Sequence, residues 1–332
     1  MKQPAANPHP YNRLTPDVII EAVESRGRVS DRRILALNSY ENRVYQVGIE
    51  DGVPLIIKFY RPERWSDEAI YEEHGFALEL AAAEIPVIPP LVRDGETLFS
   101  YEGFRFALFE RRGGRWPELG SATEREWMGR FLGRIHAIGR RQRFQHRERM
   151  SINRLGLASR DFLLDEGWLP AHLETAYDSL TSDLLERIRD VFDGVGRLSE
   201  WRLHGDCHRG NVLWTDAGPH FVDLDDCITG PAIQDLWMLV SGSRDEMGEQ
   251  LGDLLKGYRQ FCTFDHREIA LVESLRTLRM IHYAAWLARR WQDPAFPQAF
   301  PWFEEPRYWE GHILALREQL SAIDEGPIDL PI

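Results

Sequence analysis

Between residues 203 and 226 the chain sets polar side chains among apolar ones at a spacing that few folds can use. Leu203-His204-Gly205-Asp206-Cys207-His208-Arg209-Gly210-Asn211-Val212-Leu213-Trp214 contains His-x-Asp-x-x-x-x-Asn, bounded by apolar residues on both sides. Twelve positions after Asn211, Phe221-Val222-Asp223-Leu224-Asp225-Asp226 is a short apolar run that ends in carboxylates. The first pattern suits a loop between two buried strands. In such a loop an aspartate takes or orients the proton of an attacking hydroxyl, and an asparagine on the far side holds a divalent ion against phosphate oxygens. A carboxylate delivered by the next strand adds a second ligand, and magnesium is the ion that suits oxygen donors beside phosphates. Asp206 and Asp223 are therefore the candidate catalytic residues, and Asn211 and Asp223 the candidate magnesium ligands.

Such a site needs a further cation for the phosphates. Lys58, in Leu55-Ile56-Ile57-Lys58-Phe59-Tyr60, is placed on a strand ahead of the loop. A partner glutamate is expected from the helix that follows, where Glu72 and Glu73 both occur. No Gly-x-Gly-x-x-Gly precedes Lys58; the corresponding hairpin is Leu37-Asn38-Ser39-Tyr40-Glu41-Asn42-Arg43. Phosphate binding needs donors more than glycine itself, so backbone N–H groups and the Ser39 hydroxyl can close over ATP. Phe109-Glu110-Arg111-Arg112 offers backbone groups to adenine at a connector, which adds Glu110 and Arg112 to the nucleotide-binding candidates.

Periodicity divides the chain into two lobes. Residues 1–16 read as a loose arm and 17–25 as a short helix. Residues 33–37, 43–49, 55–60, 98–100 and 104–110 read as strands of one antiparallel sheet, with Asp51-Gly52 as a hairpin turn. Ser66 is a good N-cap for a helix over 67–83. Residues 1–110 thus form a small β-rich lobe with that one helix near 67–83, and 111–332 a mainly helical lobe interrupted by a β-unit at 204–226. Trp286, Arg290, Trp291, Phe296 and Trp302 read mostly as helix packing.

A chain of 332 residues with 43% hydrophobic residues can bury a sizeable core. Its formal charge of -13 argues against nucleic acid and anionic membranes as partners. The polar, proline-containing start has no apolar stretch of secretory length, so a cytoplasmic protein is expected. Cys207, Cys227 and Cys262 show no metal-site spacing and read as reduced thiols.

These runs, together with Lys58-Phe59-Tyr60-Arg61-Pro62-Glu63-Arg64-Trp65 and Trp286-Leu287-Ala288-Arg289-Arg290-Trp291-Gln292-Asp293-Pro294-Ala295-Phe296-Pro297, closely resemble the bacterial stress response kinase A family. The likeness covers roughly residues 30 to 305. That family sits in the aminoglycoside phosphotransferase and choline kinase branch of the protein kinase-like fold. The resemblance implies an α+β, bilobal protein kinase-like fold and a monomeric, ATP- and magnesium-dependent enzyme. It further implies a serine/threonine protein kinase that phosphorylates protein substrates and itself, acts in stress response and opposes programmed cell death. By position it makes Asp206 the proton acceptor, Asn211 and Asp223 the magnesium ligands and Ser39 an ATP contact. Glu73 stands thirteen residues before Pro86, the separation usual in this group, and is preferred over Glu72. A small-molecule kinase of the aminoglycoside, choline or homoserine type would use the same residues, and a nucleotide-binding pseudokinase is disfavoured by the intact set.

Overall fold

The computed structural model describes residues 9–330. The first eight residues of the expected loose arm lie outside the described part. The rest of that arm is ordered, contrary to expectation: Pro10–Arg13 forms one 3-10 turn, and Tyr11 and Leu14 are buried in the sheet lobe. The cause is an aromatic anchor, because Tyr11 stacks near Phe104 and donates its hydroxyl to the Phe59 carbonyl at 3.1 Å.

The sheet lobe runs α1 (Pro16–Glu24), β1 (Ser30–Ala36), β2 (Arg43–Ile49), β3 (Leu55–Phe59), α2 (Asp67–Ala82), β4 (Phe99–Tyr101) and β5 (Phe104–Glu110). Its strands pair antiparallel in the order β1-β2-β3-β5-β4, so β3 is central. Alternation on β3 sends Leu55, Ile57 and Phe59 into a core with Ile19, Ala22 and Val23 of α1, while Lys58 and Tyr60 face α2. Helix α1 is the short helix expected over 17–25, and it packs on the sheet rather than standing apart. Helix α2 starts as predicted, the Ala69 N–H donating to the Ser66 hydroxyl at 3.2 Å. Its buried stripe, Ile70, Glu73, Phe76, Ala77 and Leu80, follows helical spacing, and its lower half enters the core of the other lobe.

The helical lobe contains α3 (Ala122–Gly139), α4 (Ala158–Asp165), α5 (Ala171–Val195), β6 (Trp201–Leu203), β7 (Val212–Thr215), β8 (Gly218–Phe221), β9 (Ile228–Gly230), α6 (Ile233–Trp237), α7 (Arg244–Tyr258), α8 (Val272–Arg290), α9 (Ala295–Ala299) and α10 (Pro306–Asp324). Helices α3 and α7 pack against each other closely enough that glycine is required: a Cβ on Gly133 would stand 2.5 Å from the Tyr258 carbonyl. The expected β-unit is two ribbons, β6 with β9 and β7 with β8. Among the described residues no helix is long and apolar enough to cross a membrane.

Candidate active site

The β7–β8 ribbon brings the two motifs together. Val212 pairs with Phe221, and the Val222 N–H donates to the Asn211 carbonyl at 3.0 Å, so Asn211 and Asp223 emerge from the same end. Asp223 adopts a left-handed conformation (φ 60°, ψ 65°), which a short polar residue tolerates better than most. Its side chain is half exposed toward Lys58, 3.5 Å away.

The loop before β7 is held from below by a buried polar chain. Asp235 accepts the His204 and Gly205 backbone N–H groups, both at 2.8 Å, and faces His136 Nε2 at 3.0 Å; His136 Nδ1 in turn meets the Tyr258 hydroxyl at 2.9 Å. His204 Nε2 reaches the Val222 carbonyl at 2.9 Å, tying the loop to the strand that delivers Asp223. Asp235, His136, Tyr258 and His204 are all buried, and their mutual hydrogen bonds hold the loop in place.

Asp206 stands at the lip of the loop. Arg279 Nη1 of α8 donates to Asp206 Oδ1 at 2.6 Å, and His208 Nε2 lies 3.4 Å from Oδ2. Burial works to raise the Asp206 pKa, but the His208 hydrogen bond and the Arg279 charge outweigh it and hold the carboxyl below its usual range. Asn211 Nδ2 donates to the Asp206 carbonyl at 3.0 Å and to its carboxylate at 3.3 Å, which leaves the amide oxygen available to a cation.

From the other lobe, Lys58 Nζ lies 3.0 Å from Glu73 Oε1 and 2.9 Å from Asp225 Oδ1. Burial opposes its charge, yet Asp225 and Glu73 prevail and lift its pKa well above that of a free lysine. Glu72 points elsewhere: its carboxylate accepts the backbone N–H groups of Gln145, His146 and Arg147 at 2.6, 2.8 and 2.8 Å. Lys58, Glu73, Asp206, Asn211 and Asp223 thus surround one cleft between the lobes. Ser39 sits half-buried in the hairpin turn with no side-chain hydrogen bond among the described residues. Glu110 ends β5, and with Arg112 it lines a small cleft of about 200 Å³ at the lobe junction, apart from the carboxylates.

Several residues of the site carried no local signal. Arg64 binds Asp225 and, at 2.5 Å, Asp226. Arg147 donates to the Leu224 and Asp225 carbonyls at 3.2 and 2.7 Å. The aromatic run after α8 does more than pack: Asp293 accepts Arg43 at 2.6 and 2.8 Å and Arg61 at 2.7 Å, while Glu41 accepts the Trp286 indole at 2.5 Å and Arg290 at 2.9 Å. These contacts fasten the hairpin of the sheet lobe to the helical lobe.

The donor set fits a magnesium ion. Asp226 is crowded although its side chain is half exposed: loss of hydration beside its neighbours pushes its pKa up, Arg64 opposes, and Asp225, Asp206 and Asp223 add to the rise. A divalent ion relieves that repulsion. Among the described residues no three His, Cys, Asp or Glu side chains form a closed metal cage. Magnesium seldom uses one, taking a few protein oxygens together with phosphate and water.

The phosphotransferase enzyme family matches residues 33–272. The chain belongs to that family. Within it, this phosphotransferase is 44% identical over 324 residues to stress response kinase A of Escherichia coli O157:H7, covering 96% of this chain and 97% of the relative. It is 42% identical to the serine/threonine protein kinase RdoA of Salmonella typhimurium (strain LT2), covering 98% of each. Its place with the stress response kinase A proteins, read from the motifs, therefore holds. Its fold is that of an amicoumacin kinase solved with AMP-PNP, a calcium ion and amicoumacin: TM-score 0.70, 19% identity, 93% of this chain and 94% of the other. The α+β, bilobal kinase-like architecture expected from the sequence is the one found.

Proposed function

We propose that this phosphotransferase is an ATP- and magnesium-dependent serine/threonine protein kinase that also phosphorylates itself and acts as a monomer in the cytoplasmic stress response, opposing programmed cell death. Support for the nucleotide and the metal is the cleft itself, with a buried lysine, an amide oxygen and a carboxylate facing one another, and a fold relative solved with a nucleotide analogue and a divalent ion. Asp206, held anionic by Arg279 and His208, accepts the proton as the acceptor oxygen bonds to the γ-phosphorus and the bond to the β-bridging oxygen breaks, releasing ADP. Lys58, positioned by Glu73, carries positive charge toward the phosphates, and Ser39 with the hairpin backbone covers them. Backbone groups near Glu110 and Arg112 receive adenine. Asn211 and Asp223 would hold magnesium, which supplies charge neutralisation at the phosphate oxygens when bound.

The observation that carries the choice of acceptor is the charge beside the base. Arg279 contacts Asp206 directly, and Arg154, Arg289 and Arg64 lie close enough that, after burial, they help push the His282 pKa down to about 3. Arg279, Arg64 and Arg154 are each paired with a carboxylate, but Arg289 has none among the described residues, and its charge disfavours the ammonium groups of aminoglycosides and choline while tolerating a neutral hydroxyl within an acidic peptide. The name of the Salmonella relative points the same way. Incubation of the pure protein with γ-labelled ATP and magnesium tests the reading. Label is expected on the protein and on acidic Ser-containing peptides, and Asp206→Asn should lose it by about 100-fold or more. Label found only on an added amine or aminoglycoside would reject the protein-kinase assignment.

A further inference from the structure

An open cavity of about 700 Å³ is lined by Arg147, Trp201, Thr229 and Pro231, the last two close in sequence to the Asp223 segment. That is the size of a typical small-molecule pocket. Its charged lining is Arg140, Arg143, Arg147, Arg149 and Arg197 against a single acid, Glu200. In a chain of net charge -13 such a concentration of one sign is opposite to the whole. Arg149 is neutralised by Glu200 at 2.6 Å. Arg140, Arg143 and Arg197 have no carboxylate partner among the described residues, and all three are exposed.

Two buried donors make this more than a basic surface. Arg147 is only 5% exposed, and its Nη1 is buried without a hydrogen-bond partner. Trp201, in the same wall, buries an indole N–H that also lacks one. An unpaired buried donor costs about 1–3 kcal/mol, more when charged. Donors and cations without acceptors, lining one cavity, define the missing group as an anion with several acceptor oxygens.

We infer that this cavity binds a small phosphate-bearing anion and that Arg147 passes its presence to the metal-binding segment. Arg147 is the physical link. Its Nη2 holds the Leu224 and Asp225 carbonyls, its Nε meets Cys227 Sγ at 3.1 Å, and its guanidinium lies 3.5 Å from Glu73, the partner of Lys58. The Arg147 side chain is sealed from solvent, so an anion in the cavity acts on it through its charge and alters the balance around Asp225 and Glu73 without entering the cleft. By linkage, nucleotide in the cleft and anion in the cavity must then change each other's affinity by one factor.

The test uses the full chain and inorganic phosphate as probe. With the cleft saturated by magnesium and AMP-PNP, calorimetric titration of phosphate is expected to give one saturable site that weakens as sodium chloride rises. An Arg143→Ala, Arg197→Ala double variant removes two exposed, unpaired side chains, so its thermal midpoint should match the wild type while phosphate affinity falls at least tenfold. Absence of saturable heat, or equal affinity in the double variant, would overturn the site. Titrating the nucleotide with and without saturating phosphate tests the link. At least a threefold change is expected in the wild type and none in the double variant, which also controls for phosphate competing in the cleft. An unchanged nucleotide affinity in the wild type, or the same change in both proteins, would overturn the role given to Arg147. The binding arm stands or falls independently of the acceptor proposed above.

Discussion

The contact that joins the nucleotide hairpin to the helical lobe can be broken at one buried atom group. Asp293 is nearly inaccessible and accepts three guanidinium hydrogen bonds from Arg43 and Arg61, at 2.6 to 2.8 Å, plus the Ala295 N–H at 3.1 Å. Its pKa lies below the usual carboxylate range: burial opposes ionisation, but the Arg61 hydrogen bond and the Arg43 charge prevail. Replacing it by asparagine keeps shape and one acceptor while stranding two arginines with less than their charge complement. Removing one partner of a buried pair costs about 3–5 kcal/mol. Both arginines keep other acceptors, Arg61 at the Glu41 and Tyr40 carbonyls and Arg43 at the Tyr40 carbonyl, with Arg43 also over the Tyr11 ring at 4.4 Å. The lower figure, about 3 kcal/mol, is therefore the expectation for Asp293→Asn, and for a chain of this length that is a fall of about 4 °C in thermal midpoint. Because the hairpin loses its tether, the KM for ATP should rise about tenfold, with a smaller fall in kcat. Urea unfolding of Asp293→Asn, Arg43→Met and the double variant should give a coupling energy above about 1.5 kcal/mol. Additive single variants, together with an unaltered KM for ATP, would refute the argument that this contact holds the hairpin down.

Other expectations follow from individual side chains. Glu73→Ala should cut kcat/KM at least about 100-fold by freeing Lys58, whereas Glu72→Ala should keep turnover and lose about 1–2 kcal/mol of stability with its three N–H acceptors; equal kinetic defects in the two variants would contradict the geometry. Burial raises the Glu268 pKa from 4.5 to about 7 against the Ile233 N–H bond, so the folded chain binds the extra proton and stability falls as pH rises through that window, by up to about 3 kcal/mol. Urea unfolding of Glu268→Gln between pH 5 and pH 8 should show a flatter dependence than the wild type, and an identical slope would exclude this group. Cys207, Cys227 and Cys262 are all buried, and burial pushes the Cys207 thiol up and the Cys227 thiol up to about 12 despite Arg147. None should react with a disulfide reagent until the chain unfolds, and a fast native thiol would show an opening absent from this structure.

How far the sequence foretold this molecule depends on the range over which each feature is decided. The loop and the segment that carries Asp223 were legible because a twelve-residue spacing is closed by one local ribbon, in which Val212 meets Phe221 and leaves Asn211 and Asp223 side by side. Lys58 was legible from its place on a strand ahead of the loop, whereas the choice of Glu73 over Glu72 came only from the resemblance, through its separation from Pro86. The strands at 43–49 and 104–110 were placed to the residue because β-branched and aromatic runs end there at turn residues. The misread and missed features all depend on partners far along the chain. Tyr11 looked like part of a loose arm because its anchor is a carbonyl 48 residues away. Arg279 carries no local signal of its role, yet it meets Asp206 across 73 residues; the Asp293 to Arg43 contact spans 250.

Arg147 illustrates why no periodicity could have found it. The stretch from Arg140 to Arg149 is rich in arginine, and most of its side chains are exposed. Arg147 is the one basic residue of the stretch that turns inward, because the Trp65 ring stacks on it at 4.3 Å and the carbonyls of Leu224 and Asp225 face it. Local pattern therefore decides which face a side chain presents, while the charge a face must balance is decided by what the other lobe brings against it. In this chain the residues proposed to perform phosphoryl transfer belong to the first kind. Those that set the state of the cleft, Arg64, Arg147, Arg279 and Asp293, belong to the second, and substitutions among them should change affinity and pH response before they abolish chemistry.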